Sequence, residues 1–118
     1  MDNHATGRAG QDAAEKFLQN KGYKILARNY RLRSGEIDLV AQDGACIVFV
    51  EVKFRKSLNF GYPREAVGHV KQRRIINTAL HYLTVNGLTE RDTRFDVVEV
   101  LEQHGQLYAS HIEDAFTG

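Results

Sequence analysis

Asp38, Glu51 and Lys53 are the residues of this sequence whose types and spacing could run a reaction. Glu51 and Lys53 interrupt an otherwise apolar run of Ile47, Val48, Phe49, Val50 and Val52. Side chains alternate along a strand, so Ile47, Phe49, Glu51 and Lys53 share one face and the three valines the other. Removing an ion from water costs several kcal/mol that pairing only partly returns, so charges in such a run need a task or a partner. Two carboxylates brought together suit a hard divalent cation such as Mg²⁺, which prefers oxygen ligands and keeps several waters. A neighbouring lysine could orient or deprotonate an attacking water, or neutralise a phosphorane-like transition state. The same spacing also fits a plain ion pair, Glu51–Lys53 or Asp38–Lys53, at a strand end where both heads reach water. Spacing alone does not separate the two.

The elements that must position these groups can be read along the chain. Ala9, Ala13, Ala14, Phe17 and Leu18 recur at helical spacing and predict a helix over about residues 5–20, with Asn20-Lys21-Gly22 as its stop. Three strands follow, "YKILARNY", "GEIDLVA" and "CIVFVEVKF", the last two joined at Asp43-Gly44, a strong hairpin signal. That antiparallel hairpin would bring Asp38 near Glu51. On the middle strand, alternation sets Glu36, Asp38 and Val40 against Ile37, Leu39 and Ala41. A second helix is expected from about Arg64 to Val85, on Val67, Val70, Ile75, Ile76, Ala79, Leu80 and Leu83, with Pro63 in its first turn. "RFDVVEVL" and "QLYASHI" predict a closing hairpin over Gln103 to Gly105, and a short turn or helix is expected at Glu113 to Phe116. The order α-β-β-β-α-β-β implies one α/β domain over residues 1–118, a central mixed sheet of about five strands flanked by helices. The crossover helix would make the third and fourth strands parallel.

Bulk properties narrow the function classes. The formal charge is +1 from 16 basic and 15 acidic residues, so the chain is neither a polycation nor an acidic tail protein. Its distribution is uneven: Lys53, Arg55, Lys56, Arg64, Lys71, Arg73 and Arg74 face the single acid Glu65, whereas acids dominate from Thr89 onward. This asymmetry is either a face for a polyanion or solvated surface charge. Cys46 is the only cysteine, which excludes an intrachain disulfide and a cysteine-rich metal site. No apolar run approaches the roughly 18–20 residues of a membrane span and no secretory leader is visible, so a soluble, cytoplasmic protein without a membrane partner is expected. His4, His69, His81, His104 and His111 show no paired ligand spacing, and Phe60 and Tyr62 could stack on a base or simply pack.

The blocks "GYKILARNYR", "GEIDLVAQDG", "VFVEVKFR", "FGYPREAV", "RFDVVEV" and "HIEDAF" resemble, in order, those of the YraN family of small bacterial proteins. That family falls in the PD-(D/E)XK nuclease superfamily and is similar to archaeal Holliday-junction resolvases. The resemblance implies a restriction-endonuclease-like fold and an endonuclease that uses Mg²⁺ or Mn²⁺ on DNA. Asp38 would be the acid of the second strand, Glu51 and Lys53 the E-x-K of the third, and the Val52 carbonyl a further metal ligand. Resolvases act as two-fold dimers, which raises a homodimer as an expectation.

One position departs from the family pattern. Relatives usually carry glutamate in a G-E-x-x-A block of the first helix, and the matching residue here is Gln11. An amide oxygen brings no net charge and binds Mg²⁺ more weakly; Glu15, one turn on, could substitute. On a helical wheel Gln72 shares the arc of Ile76, Ala79 and Leu83, and since a polar residue of this helix often completes the site in related resolvases, it is a candidate for positioning water or phosphate. Its alternative is a rim glutamine bonded to backbone. Lys71, Arg73 and Arg74 around that helix, with Arg55 and Lys56 after the third strand, are candidate phosphate contacts. Three functions therefore stand: a metal-dependent endonuclease acting on DNA, including branched or junction DNA; a weak or inactive nucleic-acid-binding module on the same fold; and an interaction protein whose charged strand end is only structural.

Overall fold

The computed structural model describes residues 3–56 and 67–117, with the side chains of residues 3–6 left aside. The elements run α1 (Asn3–Asn20), β1 (Lys24–Leu32), β2 (Gly35–Asp43), β3 (Cys46–Arg55), α2 (His69–Val85), β4 (Thr93–Gln103) and β5 (Gln106–Phe116). Among the described residues these form a five-stranded sheet ordered β1-β2-β3-β4-β5, antiparallel except for the parallel pair β3–β4 that α2 bridges. This is the α/β arrangement the element order implies.

Each element has a local cause. Helix α1 ends where Gly22 takes φ 94°, the Gly22 N–H reaches the Gln19 carbonyl at 2.9 Å and the Tyr23 N–H reaches that of Leu18 at 3.0 Å. This satisfies the last carbonyls, and Tyr23 packs back into the same core as Leu18. The β2–β3 turn opens on Gly44 at φ 59°, and Asp43 pairs with Cys46. His104 and Gly105 both hold positive φ between β4 and β5, the geometry that matches the twist of a two-residue hairpin.

The sheet separates two cores. Leu18, Leu39, Val48, Val50, Val98 and Val100 are buried under α1, while Ile37, Val40, Phe49, Ile75, Phe95 and Phe116 are buried under α2. β3 lies at the centre and alternates as expected, with Ile47 and Phe49 toward α2 and Val48 and Val50 toward α1. Its last residues carry that alternation beyond the core, which is where charged side chains can reach solvent.

Three expectations change. Helix α2 begins at His69, after non-helical Val67 and Gly68, not at Arg64; Pro63 and Glu65, with Phe60 and Tyr62, lie outside the described residues. Glu113–Phe116 belongs to strand β5 rather than to a turn or helix. Asp114 at φ 54° donates its N–H to Asp96 Oδ1 at 2.9 Å, and this bulge, a register shift between Phe95 and Val97, lets the strand continue. Strand β2 also breaks its alternation: Ile37 joins Val40 under α2, while Leu39 and Ala41 face α1. The slip falls at Asp38. Among the described residues no helix is long and apolar enough to cross a membrane.

Candidate active site

The slip at Asp38 builds the site. Pairing between β2 and β3 runs from Asp43↔Cys46 to Leu39↔Val50 and stops. At the next step the Val52 N–H donates instead to Asp38 Oδ2, at 2.8 Å. A side chain has replaced a rung of the ladder, so the strands part and Asp38 sits in the fork. On its other flank, Asn29 of β1 takes φ 51°, an uncommon conformation for a residue with a Cβ.

Glu51 stands on β3 across the fork, only 5% exposed, within hydrogen-bonding reach of Asp38. Burial, then the charge and hydrogen bond of Glu51, push the Asp38 carboxyl up from an ordinary 3.8 to about 8, against the opposing pull of the Val52 N–H. Without a divalent cation, a buried and a half-buried carboxylate this close resist being charged together. Lys53 Nζ lies 3.5 Å from Glu51 Oε2, and Lys71 of α2 contacts the same oxygen. Burial, and then Lys71, hold the Lys53 ammonium below its usual range. Burial also works against the charge of Lys71, but Glu51 more than offsets it, and its pKa is raised.

A cleft of about 700 Å³ opens over the fork, lined by Asp38, Glu51, Val52, Lys71, Arg74 and His69. A second, of about 360 Å³, lies on the α1 side and is lined by Arg8, Gln11, Asn29, Arg31, Asp38 and Val52. Glu36, Asp38 and Val52 belong to both. Helix α1 comes this close because residue 10 is glycine: a Cβ there would lie 2.8 Å from Phe54 Cδ1.

The sequence-predicted residues distribute as follows. Lys53 meets Glu51, which shares the main cleft with Asp38 and Val52, and Gln11 and Asp38 both line the smaller one. Gln72 does not join them. Its Nε2 donates to the Val67 carbonyl at 2.9 Å, the rim glutamine of the alternative. The inward stripe of α2 carries Ile75, Thr78, Ala79 and Tyr82, not Ile76, Ala79 and Leu83 as its axis, and this phase carries Lys71 inward and turns Gln72 aside. Lys71, expected with Arg73 on the outer flank, therefore reaches Glu51. Arg74 lines the main cleft and Arg73 lies on the solvent side. Arg55 Nε is buried with no hydrogen-bond partner among the described residues, and Lys56 is exposed at the end of β3. Glu15 is held by Arg28 of β1, Arg28 Nε reaching Glu15 Oε2 at 2.8 Å, so it does not replace Gln11. Sequence reasoning passed over Arg8 and Arg31, and it set His69 aside for want of a paired ligand spacing; Arg8 stands one helical turn before Gln11, and that i,i+3 relation was the available signal.

The donor set fits a hard divalent cation. Buried Glu51 and half-buried Asp38 supply the charge, Val52 lines the same cleft, and the high proton affinity of Asp38 marks the cost of leaving the pair without a cation. Among the described residues no cluster of three or more His, Cys, Asp or Glu could hold a metal, so a cation here would keep water ligands, as Mg²⁺ does.

A second charged cluster is closed by comparison. Fully buried Asp96 accepts at Oδ1 from Arg94 Nε (2.8 Å) and the Asp114 N–H (2.9 Å), and at Oδ2 from Arg94 Nη2 (2.9 Å) and His111 Nε2 (2.7 Å). Burial raises its proton affinity, but His111, Arg94 and the Asp114 N–H outweigh this and hold the carboxyl low. Lys21 Nζ, 3.0 Å from His111 Nδ1, fixes the tautomer with the proton on Nε2. Every oxygen is satisfied, and the cluster ties α1, β4 and β5 together.

The pattern of the family described as "Uncharacterised protein family UPF0102" matches residues 10–100. Curated relatives include a UPF0102 protein of Symbiobacterium thermophilum, 51% identical over 93% of this chain and 94% of its own length. A UPF0102 protein of Lachnoclostridium phytofermentans is 47% identical over 98% and 96%, and one of Clostridioides difficile 43% identical over 98% and 100%. The chain belongs to the uncharacterised protein family UPF0102, the family to which the YraN resemblance pointed.

Proposed function

We propose that this protein is a metal-dependent endonuclease that hydrolyses phosphodiester bonds in DNA, with branched or junction DNA among its substrates. The observation that carries the reading is the fork at Asp38, where a half-buried and a buried carboxylate converge beside a lysine, under an open cleft whose wall includes Lys71 and Arg74. Asp38, Glu51 and the Val52 carbonyl would hold Mg²⁺ or Mn²⁺. When bound, such a cation polarises the phosphoryl oxygen and favours ionisation of a bound water. Lys53, its proton affinity lowered by burial and by Lys71, orients the attacking water and, after giving up its own proton to solvent once the cation is bound, accepts the water's proton. A bond forms from that water oxygen to phosphorus, the bond to the leaving sugar oxygen breaks, and that oxygen takes a proton from solvent water. Arg74 in the cleft wall holds a phosphate, Arg73 stands beside it on α2, and Arg55 and Lys56 at the end of β3 are further candidate phosphate contacts.

Gln11 favours a second reading, a nucleic-acid-binding module with little or no turnover. It sets an amide, rather than the family's glutamate, beside Asp38 in the smaller cleft. Labelled duplex, single-stranded and four-way-junction DNA incubated with Mg²⁺ or Mn²⁺ separates the two. Cleavage by the parent, lost in Glu51→Ala and Lys53→Ala, supports the endonuclease. DNA binding without cleavage in the parent, with cleavage in Gln11→Glu, supports the silent module.

A further inference from the structure

Glu51 carries more cation than it needs. Its Oε2 is shared by Lys71 and by Lys53, on a side chain that is 5% exposed. The two lysines differ in freedom. Lys53 extends from the same strand as Glu51, two residues on, and its side chain is 19% exposed; Lys71 reaches in from the first turn of α2 and its side chain is 47% exposed. One of the two could leave without dismantling a strand.

A divalent cation bound by Asp38 and Glu51 would meet both ammonium groups on the same oxygen. Like charges at such separations repel strongly at the effective dielectric of a partly buried site. The cation and Lys71 therefore compete for Glu51. Resting on the endonuclease reading, we infer that Lys71 is the resident counter-ion of Glu51, displaced when a divalent cation binds and turned into the main cleft to hold a phosphate of the DNA. The cleft supports the second half of that movement: Lys71 and Arg74 line it together with Asp38 and Glu51, so the released ammonium stays beside a second cation able to grip the same phosphodiester. Loading with metal thus couples to gripping the substrate, because each frees the other's ligand.

The experiment measures Mn²⁺ binding to the full chain by the electron paramagnetic resonance of free Mn²⁺, at low ionic strength and pH 8.5. It compares the parent with Lys71→Met, Lys71→Arg and, as a remote charge control on exposed α1, Lys16→Met. Lys71→Met should tighten Mn²⁺ at least about tenfold, whereas Lys71→Arg, which keeps the charge, and Lys16→Met should stay within about twofold of the parent. A second arm follows duplex DNA binding with and without Ca²⁺: the ion should raise affinity more in the parent than in Lys71→Met. Equal or weaker Mn²⁺ binding by Lys71→Met, beside measurable binding by the parent, would overturn the exchange and leave the metal site standing. No Mn²⁺ binding by the parent or by Lys71→Met would overturn both. Binding by Lys71→Met alone would support the exchange in its strongest form.

Discussion

The Val52 N–H and Asp38 Oδ2 are 2.8 Å apart, and this hydrogen bond takes the place of a rung between β2 and β3. It does two things at once. It satisfies a backbone donor that the parting strands would orphan, and it pins a carboxylate beside Glu51 where neither gains from the other's charge. The fold therefore stores an electrostatic cost at the fork.

Replacing Asp38 by Asn should relieve that cost. The amide oxygen still accepts from Val52, while the charge is gone. Metal-free Asp38→Asn should be more stable than the parent by a few kcal/mol (about 1.4 per pH unit of difference, discounted for coupling to Glu51) at pH 9 and nearly equal near pH 4, where the carboxyl holds its proton in the folded and unfolded chain alike. Urea unfolding at both pH values in chelator checks this, and cleavage by the variant should be lost.

Parent stability should fall with pH. Asp38 has a folded pKa of about 8 against an ordinary 3.8, so the folded state binds more protons than the unfolded chain between those values. Where the folded state binds more protons, stability drops as pH rises. The loss should accumulate from about pH 4 to about pH 8 in chelator. With saturating Mg²⁺ it should shrink, because the ligated carboxylates are already deprotonated. Denaturation curves across that range, with and without Mg²⁺, make the comparison.

Asp96→Ala should act on stability alone. It removes the acceptor of Arg94, His111 and the Asp114 N–H and leaves buried donors unpaired, a loss of about 3–5 kcal/mol. Mn²⁺ affinity of the protein that remains folded should be unchanged. A matching loss of metal affinity would make the cluster part of the site.

Gly10→Ala sets helix propensity against contact. Alanine gains about 1 kcal/mol in a helix interior, but its Cβ would meet Phe54 at 2.8 Å and 3.3 Å. Overpacking of this kind costs about 1–3 kcal/mol, so a net loss is expected. Thermal melting would read it.

Arg74→Ala should weaken DNA binding across all sequences alike and reduce the slope of log affinity against log salt by about 1, the signature of one lost phosphate contact. A titration at several salt concentrations supplies the slope.

Much of this was legible in the sequence because its signals are local. Gly22, Asp43-Gly44 and the apolar alternation of β3 each fix an element with little help from elsewhere. The Asp38–Glu51–Lys53 grouping was legible for the same reason, since a hairpin and a period of two suffice to assemble it. The slip at Asp38 was not, because it depends on a side chain bonding to the backbone of another strand. The phase of α2 was misread because Thr78 and Tyr82 are buried, and a stripe drawn through aliphatic residues alone passes them by. That error exchanged Gln72 for Lys71. The strand at Glu113–Phe116 was hidden by a bulge that needs Asp96 to hold it.

The central claim is that the fork between Asp38 and Glu51 holds a divalent cation. The most direct measurement is an anomalous difference map from a crystal of the protein soaked in Mn²⁺. A single peak bonded to both carboxylates and the Val52 carbonyl, with Lys71 withdrawn from Glu51, is the predicted result. A map without a peak at the fork, with Lys71 still on Glu51 at saturating Mn²⁺, would contradict it.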